Sequence, residues 1–175
     1  MPISVDEMLE GANLIVRVSA NEYAVPAQGE RFRLGFQLGA IRFVVLETVK
    51  GDASVSSVVL PGVLTERDDF NDHDPPYRFV RPEGRHGNCF ADAYRRGAQF
   101  LLFLVGEGGH YGLYPEALGP VNEQLRSTDD PWLVWVKAAR GRQVAGTPNK
   151  RVQPAATHEV APVAASGRRG LRADR

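Results

Sequence analysis

The side chains most able to do chemistry are concentrated in one acidic run, at positions 68–74. The run reads Asp68-Asp69-Phe70-Asn71-Asp72-His73-Asp74. Calcium takes several oxygen ligands from one flexible loop, so the run is a candidate cation site. It begins as an EF-hand loop does, but His73 breaks the pattern, and the central glycine and the closing glutamate are missing. The residues therefore favour a solvated loop whose carboxylates pair with neighbouring arginines. Those arginines are Arg67, Arg78, Arg81 and Arg85.

A second candidate is the pair His86 and Cys89, an imidazole and a thiol three residues apart. The pair could ligate zinc with His73, but zinc sites use three or four ligands and the sequence has no second closely spaced pair. The thiol could also be a nucleophile, with His86 or His110 as its base. A metal-binding protein or a thiol-dependent enzyme that uses His86 and Cys89 is therefore the alternative function. The chain has neither G-x-S-x-G nor a phosphate-binding loop, and we expect no catalytic residue, metal or cofactor.

The stretch 68–88 also mixes aromatic residues with arginines, and this composition is typical of interfaces. Aromatic rings contribute a large area with few rotatable bonds, and a guanidinium contributes a rigid fork of donors. We therefore predict a non-catalytic binding or protein-interaction module, whose protein partner the sequence does not identify. The predicted contact residues are Asp69, Phe70, Asp72, His73, Tyr77, Phe79, Arg81 and His86. Long loops of this kind are usually functional or mobile, and we expect this one to be ordered by packing on the sheet.

A β framework must position this loop. The longest apolar run, Ala98–Val105, is short and bracketed by glycines, which predicts a strand buried on both faces. A membrane-spanning helix needs about 20 apolar residues, so no transmembrane segment is predicted. Further strands are predicted at Leu14–Ala20, Ile41–Val49, Ser57–Leu60 and Tyr111–Tyr114. The third strand is expected to stop at Pro61-Gly62. A weak alternation in residues 24–38, through Phe32, Leu34 and Phe36, indicates a hairpin arm.

Two short helices are predicted beside the strands. Ser4 and Glu7 match the S-x-x-E capping box that begins a helix. Asp130 followed by Pro131 is a typical N-cap and first helical position. The second helix is expected to end at Gly141 and to lay one apolar stripe on the sheet. The stripe consists of Trp132, Trp135, Val136 and Ala139.

The charges cancel over the 175 residues but are distributed unevenly. Residues 1–139 carry 13 Lys and Arg against 19 Asp and Glu, a net charge of −6, and residues 140–175 carry 8 against 2, a net charge of +6. The acidic body opposes the phosphate contacts that dominate nucleic-acid affinity, so no sequence-specific nucleic acid is expected as a partner. From residue 143 the composition is rich in Ala, Pro and Arg, which predicts a disordered basic tail able to contact polyanions weakly.

Three segments together resemble a known family. They are Ala12-Asn13-Leu14-Ile15-Val16-Arg17-Val18, Phe43-Val44-Val45-Leu46-Glu47-Thr48-Val49-Lys50-Gly51-Asp52, and Asn88-Cys89-Phe90 leading to Arg96-Gly97-Ala98-Gln99-Phe100-Leu101-Leu102-Phe103. They are similar to bacterial tissue-inhibitor-of-metalloproteinase-like domains, also called netrin-module-like domains. The resemblance implies a mainly β fold, a five-stranded OB-like closed barrel with two short flanking helices. We accordingly expect such a domain at 1–142 and a disordered Ala/Pro/Arg-rich basic tail at 143–175.

The chain also departs from that family. In the animal inhibitors a disulfide-anchored N-terminal cysteine binds the protease zinc, whereas Cys89 is the only cysteine here and cannot form an intramolecular disulfide. Inhibition by that mechanism is therefore not expected. The residues Met1–Asp6 show neither the basic start nor the apolar core of a signal peptide, and the sequence leaves the compartment unknown. The resemblance implies export if the true start of the chain lies upstream.

Overall fold

The computed structural model describes residues 4–25, 32–33 and 36–146. In chain order the elements are α1 (Val5–Gly11), β1 (Leu14–Val25), β2 (Phe32–Arg33), β3 (Phe36–Gln37), β4 (Gly39–Lys50), β5 (Ser57–Thr65), a π-helical turn (Gly84–Asn88), β6 (Ala93–Arg95), β7 (Gln99–Glu107), β8 (His110–Leu113), β9 (Asn122–Leu125) and α2 (Pro131–Gly146). The strands predominate, which confirms the predicted mainly β class. The short ribbon of β2 and β3 confirms the predicted hairpin arm. From residue 147 onward, the predicted tail lies outside the described residues.

Seven strands form one mixed sheet in the order β6-β5-β4-β1-β7-β8, and β9 pairs with β7 alongside β8. β1, β4 and β5 are an antiparallel meander, β7 pairs antiparallel with β1, and β6 pairs parallel with β5. The sheet curls until β8 lies beside β5. In the described part of the chain these two strands do not pair, so the sheet is not closed and the predicted five-stranded closed barrel is not confirmed.

The central strand β7 is buried on both faces, as its unbroken apolar run predicts. The neighbouring strand β1 is buried on both faces as well, and it pairs with β7 so that Ile15 lies opposite Phe103 and Val16 opposite Leu102. Because successive side chains point to opposite faces, the two strands supply two cores at once. The core inside the curl contains Leu14, Val16, Val18, Ile41, Phe43, Leu60, Tyr94, Phe100, Leu102 and Leu104. The core under the two helices contains Met8, Leu9, Ile15, Tyr77, Leu101, Phe103, Val121, Trp132, Leu133 and Val136.

The strand β5 is longer than predicted, because it continues through Pro61-Gly62 to Thr65. Pro61 keeps its register opposite Ala40 of β4. Gly62 is required there by a close approach, since a Cβ at this position would lie 2.6 Å from Cε2 of Tyr94. The prediction that these two residues end the strand is therefore wrong. The sequence reading also missed the short strands β6 and β9.

Both predicted helix starts are confirmed. In α1, Ser4 N–H donates to Glu7 Oε2 at 2.8 Å and Glu7 N–H donates to Ser4 Oγ at 3.2 Å. In α2, Trp132 N–H donates to Asp130 Oδ1 at 2.9 Å. The predicted end of α2 at Gly141 is wrong, since the helix continues to Gly146 across the expected domain boundary at 142–143. One glycine costs a helix only about 1 kcal/mol, which its neighbours can offset. Neither described helix is long and apolar enough to cross a membrane.

Candidate functional site

The segment 66–92, called here the long loop, connects β5 to β6 and carries every residue of the predicted contact surface. It lies on β9 and is tied to that strand by polar side chains, four of them almost completely buried and the fifth, Asp69, partly buried. We call this group the buried cluster. Its members are Asp69, Asn71 and Arg81 of the long loop and Asn122 and Glu123 of β9. Buried polar groups need hydrogen-bond partners, so the cluster fixes the path of the long loop.

Arg81 is the centre of the buried cluster and has no exposed surface. Its guanidinium donates to Asp69 Oδ2 at 2.7 Å, to the carbonyl of Asn122 at 3.0 Å and to the carbonyl of Ala91 at 3.2 Å. The same group lies 5.2 Å from the ring centroid of Tyr94. A buried charge that is paired and fully hydrogen-bonded in this way holds three separate segments at one point.

Glu123 is the second fully buried charged side chain of the cluster. Its Oε1 accepts the backbone N–H of Arg81 at 2.9 Å, and its Oε2 accepts Nδ2 of Asn71 at 3.0 Å. Both donors are neutral, while the guanidinium of Arg81 is hydrogen-bonded to Asp69 and to carbonyls instead. Burial raises the pKa of Glu123 to about 7, although the nearby Arg81 charge and these two hydrogen bonds lower it in part.

A stack of aromatic rings anchors the middle of the long loop to α2. Tyr77 is buried and lies parallel to Trp132, with 4.9 Å between the ring centroids. Trp132 in turn stacks on Trp135 at 5.5 Å. Burial also raises the pKa of Tyr77, and the charge of Asp130 adds to that effect. The stack therefore fixes the residues on either side of Tyr77 against the second turn of α2.

Beside this stack lies a groove of about 530 Å³, which we call the aromatic groove. It is lined by Ser4, Val5, Asp6, Pro76, Arg78, Phe79 and Trp135. Phe79 is 43% exposed, an unusual exposure for so large an apolar side chain. Arg78 and Asp6 both line the groove and are exposed, and neither forms an ion pair within the described residues. The groove therefore combines apolar side chains with one cation and one anion that can bind a ligand.

The structure divides the predicted contact residues into two groups. Tyr77 and Arg81 are buried at 2% and 0% exposure, so their prediction as surface residues is wrong, and both belong to the interior instead. Asp69 is occupied by Arg81, and Phe70 lies under the guanidinium of Arg126 at 4.7 Å. The exposed members are Asp72, His73, Phe79 and His86. Of these, Phe79 alone lines the aromatic groove.

Two of the predicted arginines pair with the acidic run, Arg81 with Asp69 and Arg85 with Asp72, whereas Asp68 pairs with Arg95, which was not predicted. Asp72 accepts a short hydrogen bond from Arg85, which lowers the pKa of that carboxyl. Asp68 accepts two from Arg95, at 2.7 and 2.9 Å. The described residues contain no group of three or more His, Cys, Asp or Glu side chains that could hold a metal ion.

The two residues of the alternative function lie at the end of the long loop. His86 is exposed within the π-helical turn, and Cys89 is exposed just after it, with a backbone φ of 59°. Nothing in this arrangement favours the alternative function.

Two parts of the site were missed by the sequence reading. The buried strand Asn122–Leu125 carries three consecutive polar residues, and it was not recognised as a strand because it has no apolar alternation. Trp135 was predicted as part of a core stripe, but it is only partly buried and also lines the aromatic groove. A glutamate between Asn122 and Gln124 gives no sequence signal of burial, because its partners are more than 40 residues away.

A second, more open cleft of about 560 Å³ lies between the end of β4 and the last turns of α2. Of its charged lining residues, Lys137 and Glu47 are paired, with 2.6 Å between Nζ and Oε1, whereas Arg140 donates to Gln143 and forms no ion pair within the described residues. This cleft has no aromatic wall, and we regard the aromatic groove as the candidate site.

Comparison with known proteins does not identify a family for the chain. No protein-family model matches the sequence, and no curated protein matches it either. The functional argument therefore rests on the residues of the groove and of the buried cluster.

Proposed function

We propose that the protein is a non-catalytic interaction module that binds an extended segment of a partner protein in the aromatic groove. The observation that carries the proposal is the exposure of Phe79 on a rigid base. Its neighbour Tyr77 is stacked on Trp132, so the ring of Phe79 is presented by a loop that need not be ordered on binding. Preorganisation of this kind reduces the entropic cost of association.

The lining of the groove indicates what the partner segment contains. Pro76, Phe79 and Trp135 form walls that suit a proline or another apolar side chain, since aromatic-lined grooves recognise extended proline-containing segments. Arg78 and Asp6 carry opposite charges in the lining, which favours a segment with an acidic and a basic residue beside its apolar anchor. A volume of about 530 Å³ limits the bound part to a few residues.

Kinship with tissue-inhibitor-of-metalloproteinase-like domains is also part of the proposal. The path β5-β4-β1-β7-β8 would be a five-stranded, partly open Greek-key barrel if β8 paired with β5, beside which it lies. β6 and β9 are then additions to that barrel. The animal inhibitory mechanism is not included, because Cys89 has no second cysteine to pair with.

Selection of a displayed library of random 12-residue peptides against the full chain tests the proposal. Isothermal titration of the selected peptides should give a Kd that Phe79→Ala weakens by about 30-fold, the about 2 kcal/mol expected of an interface hot spot. Val134→Ala is the matched control, because Val134 is an exposed apolar residue of α2 that does not line the groove. Peptides that bind Phe79→Ala as tightly as the wild type, or a selection without enriched peptides, would refute the proposal.

A further inference from the structure

Glu123 is an anomaly that the interaction site itself does not explain. Carboxylates are almost never fully buried unless they are paired, and the guanidinium of Arg81, whose charge acts on Glu123, already forms an ion pair with Asp69 at 2.7 Å. The buried cluster therefore holds one positive group and two acidic groups. If Glu123 is ionised, a surplus negative charge is buried, and if it is protonated, the cluster is neutral.

The groups around Glu123 come from four elements. On the side of β7 it lies opposite Leu101, which cannot titrate. From the long loop, Arg81 and Asp69 face it, and Tyr77 is close enough for the charge of Glu123 to raise the pKa of the phenol. A second guanidinium, that of Arg126 after β9, donates to the carbonyl of Asn71 at 3.0 Å and has no hydrogen bond to Glu123 in the described part of the chain. Just before α2, the oxygens of Asp130 accept the backbone N–H groups of Arg126 and Trp132.

We propose that Glu123 is a proton-operated latch, which holds the long loop on β9 when it is protonated and loosens the loop when it ionises. The latch acts on the loop because both oxygens of Glu123 contact loop residues, Arg81 and Asn71. The loop in turn supplies Pro76, Arg78 and Phe79 to the aromatic groove. An effect of pH on partner binding therefore follows only if the proposed function is correct, whereas the latch itself does not depend on it.

The direction follows from linkage between protonation and opening. With the loop docked the pKa of Glu123 is about 7, and with the loop open it returns towards 4.5. The docked form thus binds the proton more tightly. The extra stability that protonation gives the docked form over the open form is complete below pH 4.5 and is lost as the pH rises through about 7. Between pH 5 and pH 8 these two values predict an increase of about 70-fold in the equilibrium constant for opening.

Hydrogen exchange of the full chain measures this opening directly. The protection factor of the Arg81 amide, corrected for intrinsic exchange, should fall by about 70-fold between pH 5 and pH 8, with most of the fall below about pH 7 and a levelling off above it. In Glu123→Gln it should change by less than about twofold. In Asp74→Asn, which removes an exposed carboxylate of the same loop, it should follow the wild type.

Three outcomes would overturn the latch. The first is a wild-type protection factor of the Arg81 amide that does not change with pH, and this outcome is decisive even if Glu123→Gln does not fold. The second is a Glu123→Gln profile with the wild-type pH dependence. The third is equal protection at pH 8 of the Arg81 amide and of the β7 amides, since the whole domain and not the loop would then be opening. Because no peptide is present, failure of the proposed function leaves this test unaffected.

Discussion

Replacement of Arg81 by methionine isolates the contribution of the buried cluster to stability. Methionine keeps an unbranched side chain of similar length but removes the three hydrogen bonds of the guanidinium. The carbonyl of Ala91 keeps a donor, Nδ2 of Asn122, whereas the carboxylate of Asp69 loses its only ion-pair partner. Asp69 retains the backbone N–H of Glu83 at 3.2 Å.

The expected loss is about 3 kcal/mol of unfolding free energy. Removing one partner of a buried ion pair costs about 3–5 kcal/mol, and the lower end applies because the side chain of Asp69 is 18% exposed. A domain of this kind has about 5–15 kcal/mol in total, so the substitution removes a large fraction of it. Urea denaturation followed by tryptophan fluorescence and by circular dichroism measures the loss, and coincident transitions establish two-state behaviour.

Arg95→Met is the matched control. Arg95 also forms an ion pair with an aspartate of the long loop, Asp68, at 2.7 Å, but the two side chains are 44% and 40% exposed. Exposed pairs contribute about 0–1 kcal/mol, so this variant should be close to the wild type. If Arg81→Met loses no more stability than Arg95→Met, the buried cluster does not hold the loop and the reasoning is refuted.

Two further substitutions probe the packing of the loop and a turn. Tyr77→Ala should lower the unfolding free energy by about 3–5 kcal/mol, because the ring is buried against Trp132, and urea denaturation measures the loss. A loss of unfolding free energy below about 1 kcal/mol would show that the ring of Tyr77 is not part of the core. Gly106→Ala should lower the melting temperature by several degrees in a thermal scan, because Gly106 has a φ of 118° and a Cβ there would clash with the carbonyl of His110. An unchanged melting temperature would show that the last residues of β7 adapt to the added Cβ.

The parts of the fold with a local cause could be predicted from the sequence. The double burial of β7 follows from its short apolar run, and both helix starts follow from side chains that cap the helix three or fewer residues away. The same reasoning failed at Pro61-Gly62, where the strand continues because the ring of Tyr94 packs on the glycine. That contact joins residues more than 30 positions apart, and no local pattern contains it.

The site shows the same division. The composition of residues 68–88 predicts a contact surface in the long loop, and Phe79 is exposed there. The composition could not show that Tyr77 is buried while Phe79 is exposed. The two aromatic residues differ only because Tyr77 stacks on Trp132 of α2, a contact that is distant in the chain. Burial of Arg81 and Glu123 was likewise hidden, because charged residues are usually exposed and their partners are distant in the chain.

The aromatic groove is assembled from both ends and the middle of the described chain. Val5 stands near its beginning, Phe79 near its centre and Trp135 in the last helix. During synthesis, therefore, no partial product can present the complete groove, because the last wall leaves the ribosome after all the others. A chain that stops before α2 lacks Trp135 and cannot form the complete groove. If the proposed function is correct, partner binding is limited to chains that extend through α2.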